Sequence, residues 1–489
     1  MSRTSVTMSV NNISGGEASI YPFNAMPSKY SMLMQNCCVG ESGLVCKIPG
    51  YESIISETVS ETLTTGVEYV KSNGTKTRVV AGGGKIYYDN DGVLAVIKTG
   101  LDTGARVFYS QINDLLIMTN GVNAPMKYDG ATASTLGGSP PATAFMSHVH
   151  KNRVWMLDRT DKMMAYHSAL NAPEDYTGAG SGYIDFKYVL KKGDELVDII
   201  TYIDLLVFIF KNHIAIYSGS TPSGTSSDFQ LVQLIDGIGA VGTGVSVPLG
   251  TDIAIMTSQG VVNLKQAAIT GSLNMSSLSE SIEPTLRIAI STYGVICAAH
   301  YRKYGWLLFL IGGTIYCYSY IWKAWFKIVG ADVNWFFTTT DGSLYITGTG
   351  NLYAYDSTWG FNGSNIEYVW DTAWLSVAKN DIEYAYPQVL EIMARPKLDA
   401  TISMSIQYDL RYAMAENVTS FKLSSDQVLV DGLQDFNAID PLDGILPYDV
   451  IRVPLFGRGK IMKIRFSNSS TIGPIELSGF SIISKLGRR

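Results

Sequence analysis

Charge is scarce in this chain. Aspartate, glutamate, lysine and arginine make up 16% of its 489 residues, below the quarter that is usual for globular proteins. The small balance is acidic, −6 with neutral histidines, which argues against a general binder of duplex DNA, because that function needs a cationic footprint. Long apolar runs are missing too. The most apolar stretches, residues 205–210 and 306–311, fall far short of the roughly 20 residues of a membrane-spanning helix, so no membrane insertion by this chain is expected. The opening Met1-Ser-Arg-Thr-Ser-Val6 has no apolar core of the secretory kind, and the expectation is a soluble, unprocessed protein. Cysteine is limited to five residues, Cys37, Cys38, Cys46, Cys297 and Cys317. An odd count with an adjacent pair is no disulfide framework and suits free thiols in a reducing cytoplasm.

What is present points to short strands. Glycine (47) and tyrosine (29) are abundant. Glycine supplies the positive φ of tight turns, and tyrosine fills half-buried sheet positions. From residue 52 onward one pattern recurs: a short apolar run, a Gly, Asn or Asp turn, and a second run with tyrosine. Copies begin at residues 78, 114, 152, 204, 252, 305 and 342, roughly 36 to 54 residues apart, near the length of a four-stranded propeller blade. Each copy reads as a hairpin. A lone blade leaves two apolar faces in water, whereas a closed ring of blades buries both. The expected fold is therefore all-β, a β-propeller of six or seven blades over residues 52–360.

Three segments depart from the pattern. Residues 1–51 read as a polar arm followed by a turn-rich stretch. Residues 273–290 carry apolar residues at helical spacing, with Ser279 as a candidate cap and Ile282, Leu286 and Ala289 on one face. From residue 361 the hairpins stop, and strand-like runs at 366–375, 388–394, 401–408, 420–423, 451–454, 460–466 and 476–483 predict a closing β-sandwich over 361–489. Its end carries Arg452, Arg458, Lys460, Lys463 and Arg465, a candidate docking face for an acidic protein partner, against the plainer reading of a solvated surface.

No catalytic set stands out, and the chain reads as a non-enzyme without cofactor or metal. His148 and His150 share a strand face and could approach one ion, with His167 nearby, yet no third ligand is marked. The cysteines lack the Cys-x-x-Cys spacing of zinc and redox sites. Gly82-Gly83-Gly84 has no following Lys-Ser/Thr and so is no phosphate-binding loop. Trp370-Asp371 and Thr340-Asp341-Gly342 each occur once, where scaffold and glycosidase propellers repeat such motifs.

Several segments, in order, resemble the tail nozzle or packaged-DNA stabilisation proteins of short-tailed bacteriophages. They are Pro22, Asn36, Gly43-Leu44 and Lys47-Ile-Pro-Gly-Tyr51; Gly83-Gly-Lys-Ile-Tyr87; Lys151-Asn-Arg-Val-Trp155; His167 through Pro173-Glu-Asp-Tyr176; Leu205-Leu-Val-Phe208 with Ile216-Tyr-Ser-Gly219; and Arg458 to Phe466. The resemblance implies a structural virion component made in the host cytoplasm: a hexameric homo-oligomeric ring that prolongs the DNA channel, retains the genome and then releases it. Implied partners are the tail adaptor ring of the head-to-tail connector, a tail needle or plug, and tail fibres or spikes. Double-stranded DNA would pass through without specific binding. It implies no catalytic residue. Acidic walls let phosphates slide, so Asp89, Asp91, Glu174 and Asp175 are candidate channel-lining acids. The alternative function is a receptor- or glycan-binding propeller module, in which tyrosines of the blade hairpins would contact the ligand.

Overall fold

The computed structural model describes residues 5–190, 192–224, 227–250, 252–264, 277–378, 384–395, 399–409, 419–423 and 449–487. Two compact units emerge, one of residues 53–313 with 332–354, the other of 1–52, 314–331 and 355–489.

The first unit is a propeller. Blade 1 comprises strands Thr65–Val70, Lys76–Gly82, Lys85–Asn90 and Val93–Lys98; blade 2, Phe108–Ile112, Leu115–Thr119, Met126–Tyr128 and Ala133–Thr135. Blade 3 is Ala144–His150, Arg153–Asp158, Met164–His167 and Gly182–Asp185; blade 4, Leu196–Tyr202, Leu205–Phe210, His213–Ser218 and Gln230–Asp236. Each is an antiparallel meander. Blade 5 shows Ser246–Pro248, Ile253–Thr257 and Gly260–Asn263, blade 6 begins with Val295–Tyr301 and Trp306–Ile311, and blade 7 has Trp335–Thr338, Leu344–Thr347 and Leu352–Tyr355. The first strand of each blade packs beside the first strand of the next, and that of blade 7 beside that of blade 1. Seven blades thus close a ring, and the first strands surround its axis.

Closure explains the apolar runs. In the second strand of blade 1, Val79 and Ala81 join a core shared with blade 2, while Val80 joins one shared with blade 7. In blade 2, Leu116 and Met118 face blade 1 and Ile117 faces blade 3. Blade 3 continues with Val154 and Met156 toward blade 2, and Trp155 and Leu157 toward blade 4. Successive side chains still alternate, but both faces are buried, so the sequence reads as unbroken hydrophobics. Each fully buried side chain of this size stabilises by about 1.5–3 kcal/mol. The repeated hairpins seen in the sequence are the second and third strands of the blades; the copy at 305 supplies Trp306–Ile311.

The helical expectation holds in part. A 3-10 turn, Glu280–Ile282, leads into helix Glu283–Tyr293, and Ile282, Leu286 and Ala289 are buried as expected. Ser279 does not cap it; its hydroxyl accepts the Val261 amide at 3.0 Å, fixing the helix to blade 5. The expected beginning at 273–276 lies outside the described residues.

The second unit is the expected sandwich; the predicted runs of the C-terminal segment fall on strands, except that the run 366–375 is broken at Ala373-Trp374 into Ile366–Thr372 and Leu375–Ser376. One sheet holds Cys37–Val39, Val45–Lys47, Glu476–Gly487, Tyr384–Arg395 and Asp449–Pro454. The other orders Thr314–Ser319, Ala324–Ile328, Ser31–Gln35, Ile366–Thr372, Ile461–Ser470, Ala400–Tyr408 and Thr419–Leu423. Between the sheets Trp370 stacks on Phe466 at 5.0 Å, and Phe480 approaches both at 6.2–6.3 Å. The expected separation of residues 1–51 from the sandwich gives way to a shared unit. Ser5–Val10 pairs antiparallel along Phe480–Lys485, and a Cβ at Gly479 would strike the Val10 carbonyl. Downstream, Glu17 is buried in an ion pair with Lys327 at 2.5 Å. A polar arm stays ordered here because backbone pairing and a satisfied buried charge supply the contacts its composition lacks.

Candidate functional site

Around the axis the first strands are joined by polar side chains. Ser110 and Ser147 hydroxyls meet at 2.8 Å between blades 2 and 3, and Thr65 meets the Tyr109 hydroxyl at 3.2 Å between blades 1 and 2. His148 Nε2 and His150 Nδ1 both turn to the Thr201 hydroxyl of blade 4, at 2.8 and 3.1 Å. Burial, with mutual repulsion at His148, holds both imidazoles down at about 4. They are therefore neutral partners of a hydroxyl near neutral pH. His167 lies apart, its ring tilted against Trp155 at 4.9 Å with Nδ1 at the Ser168 carbonyl. Asp198, buried on blade 4, has its carboxyl raised by burial to about 7.

One mouth of the axis forms a cavity of about 350 Å³. Its lining comes from blade 2 and its leading loop (Asp102, Arg106, Phe108, Asn120), blade 3 (Phe145, Arg159), the loop before blade 5 (Thr243) and blade 6 (Val295). Blades 2 and 3 stand across the ring from 5 and 6, so the cavity lies on the axis. Local chemistry shapes it. Asp102 accepts the amides of Gly104 and Ala105 at 2.9 and 2.8 Å, an Asx turn that sets Arg106 two residues ahead of the first strand of blade 2. Asn120 accepts the amides of Val122 and Asn123 and donates to Asn123 Oδ1, which in turn accepts the Asp102 amide. Gly121, at φ +74°, admits the neighbouring guanidinium: a Cβ there would sit 2.8 Å from Phe145 Cβ and 3.0 Å from Arg159 Nε. The Arg106 charge reaches blade 6, where it opposes the burial that pushes the Cys297 thiol up to about 12.

The residues singled out in the sequence lie elsewhere. Asp89 is locked to Arg78 across blade 1 at 2.6 Å with its side chain 5% exposed, and Asp91 sits exposed in the adjoining turn. Glu174 pairs with Lys127 at 2.6 Å, and Asp175 accepts the amides of Thr177 and Gly178. Asp89 stands near the end of the third strand of blade 1, and Asp91, Glu174 and Asp175 occupy the connections between third and fourth strands of blades 1 and 3, away from the axis. The five basic residues separate into three groups. Arg452 pairs with Glu391 on the first sheet. Lys463 and Arg465 converge on buried Asp371 of the second, at 3.0 and 2.6 Å. Arg458 and Lys460 lie over the Tyr384 ring. No local sequence pattern marks the pocket arginines, which stand in loops far apart in the chain; the Asp102-Thr-Gly-Ala-Arg106 turn is the one signal the sequence carries for them.

No family model matches the chain, and no curated protein matches it. Among solved structures, the extracellular domain of the one component system BT4673 from B. thetaiotaomicron is similar, with 12% identity, TM-score 0.44, and 65% of this chain covered; the chain spans 41% of that domain's length. YCF48 from Cyanidioschyzon merolae (12% identity, TM-score 0.39) and BamB from Moraxella catarrhalis (7%, TM-score 0.37) are matched over 63% and 60% of this chain and 98% and 99% of theirs.

Proposed function

We propose that the chain is a structural component of a bacteriophage tail, the nozzle ring that extends the DNA channel below the adaptor. The observation that carries this reading is where the residues of the resemblance stand. Asn36, Lys47 and Gly50-Tyr51 all tie the N-terminal segment into the sandwich. Buried Lys47 donates to the carbonyls of Ser470 and Ile472 at 2.6 and 2.8 Å. Gly50 donates to Thr358 and leaves no room for a Cβ against the Gly360 carbonyl, and Tyr51 stacks on Phe361 at 5.0 Å. The Pro173-Glu174-Asp175 turn closes on Gly138 of blade 2 in the same way. A pattern made of packing residues fits a family whose common property is a scaffold. The net charge of −6 suits a protein beside sliding DNA, which it repels. Removing the chain from its source phage should give heads that fill and then lose their DNA. Particles that retain DNA and merely fail to adsorb would instead support the receptor-binding module, a reading that the axial pocket favours.

A further inference from the structure

The axial pocket has a charge and a shape that go beyond a structural role. We propose that it binds a small monocarboxylate with an apolar body, the carboxylate seated between Arg106 and Arg159. Among the described residues neither arginine has an ion-pair partner, and both line the cavity. Guanidinium groups match carboxylates in planar, two-pronged geometry. Asp102 lines the same space, so two cations and one anion leave a net +1. That balance suits a singly charged ligand better than a phosphate dianion. The remaining wall supplies Phe108, Phe145, Val122 and Val295, surfaces for an aromatic or branched aliphatic body. A cavity of about 350 Å³ lies within the range of small-molecule sites. Arg106 and Arg159 belong to neighbouring blades, and the opposite wall to blades 5 and 6, so the site exists only once the ring has closed.

The test is calorimetric titration of the intact chain with sodium benzoate, benzamide and phenyl phosphate. Saturable benzoate binding is expected, with benzamide silent and phenyl phosphate weaker. Arg106→Gln and Arg159→Gln should each weaken benzoate by roughly tenfold or more, the effect of losing a charge-assisted hydrogen bond, while leaving the unfolding midpoint unchanged. Should R106Q fail to fold, R159Q on the exposed rim carries the comparison alone. Absent benzoate binding at about 10 mM, equal binding of benzamide, tighter binding of phenyl phosphate, or an unaffected R159Q would each overturn the proposal.

Discussion

Asn36 holds both backbone groups of Val329: its Oδ1 accepts the Val329 amide at 2.8 Å and its Nδ2 donates to the Val329 carbonyl at 3.1 Å. The second Nδ2 hydrogen reaches the Glu367 carbonyl at 2.8 Å. One buried carboxamide thereby joins three segments of the sandwich, from a backbone at φ +54° that asparagine tolerates better than most residues. Replacing it with alanine leaves these groups unpaired and should cost about 1–3 kcal/mol. Denaturant unfolding measures this, and Asn36→Gly, which relieves the backbone but restores no bond, should recover little of it.

Phe208 meets Trp155, Phe186 and Tyr217 at 4.9–5.6 Å between blades 3 and 4. Phe208→Ala should destabilise the propeller by about 3–5 kcal/mol, the usual consequence of a large cavity in a close-packed core. A loss below about 1 kcal/mol in denaturant unfolding would mean the blades are not packed face to face as described.

Asp371 neutralises two cations at once. Asp371→Asn should cost about 3 kcal/mol, the lower part of the range for a broken buried pair, because Arg465 is half exposed and water screens it. A double-mutant cycle with Lys463→Met isolates the coupling; additive effects would contradict the shared pair.

Stability should respond to pH in two opposite senses within the propeller. His148, His150 and His167 have folded values near 4 against 6.5, so their contribution is present above pH 6.5 and is lost as pH falls toward 4. Asp198, raised from 3.8 to about 7, contributes fully below pH 3.8 and loses that contribution as pH rises to 7. Asp198→Asn removes only the second effect. The variant's unfolding midpoint should gain on the parent's steadily between pH 4 and 7; parallel curves would show that the carboxyl is not perturbed.

The middle strands of the blades were legible because both their faces are buried, which writes runs such as Leu206 to Phe210 into the sequence. First strands are mixed, as Phe108–Ile112 shows, and fourth strands such as Ala133–Thr135 are largely exposed, so hydrophobicity could not mark them. The sandwich strands were readable for the opposite reason: buried Ile402, Met404 and Ile406 alternate with exposed Thr401 and half-buried Ser403, Ser405 and Gln407. Asp89 looked like a free loop acid because its partner Arg78 stands opposite it only once Val79 and Tyr88 are in register. Arg106 and Arg159 come to line one pocket through the packing of blade 2 on blade 3, a relation that no local pattern carries.

Electron microscopy of the assembly that a tagged copy brings down from its natural source tests the central claim most directly. The nozzle reading requires a sixfold ring beneath a twelvefold one, with a central channel wide enough for a DNA duplex. A monomer or small oligomer without a channel would contradict it and leave a propeller whose work is done at its axial pocket.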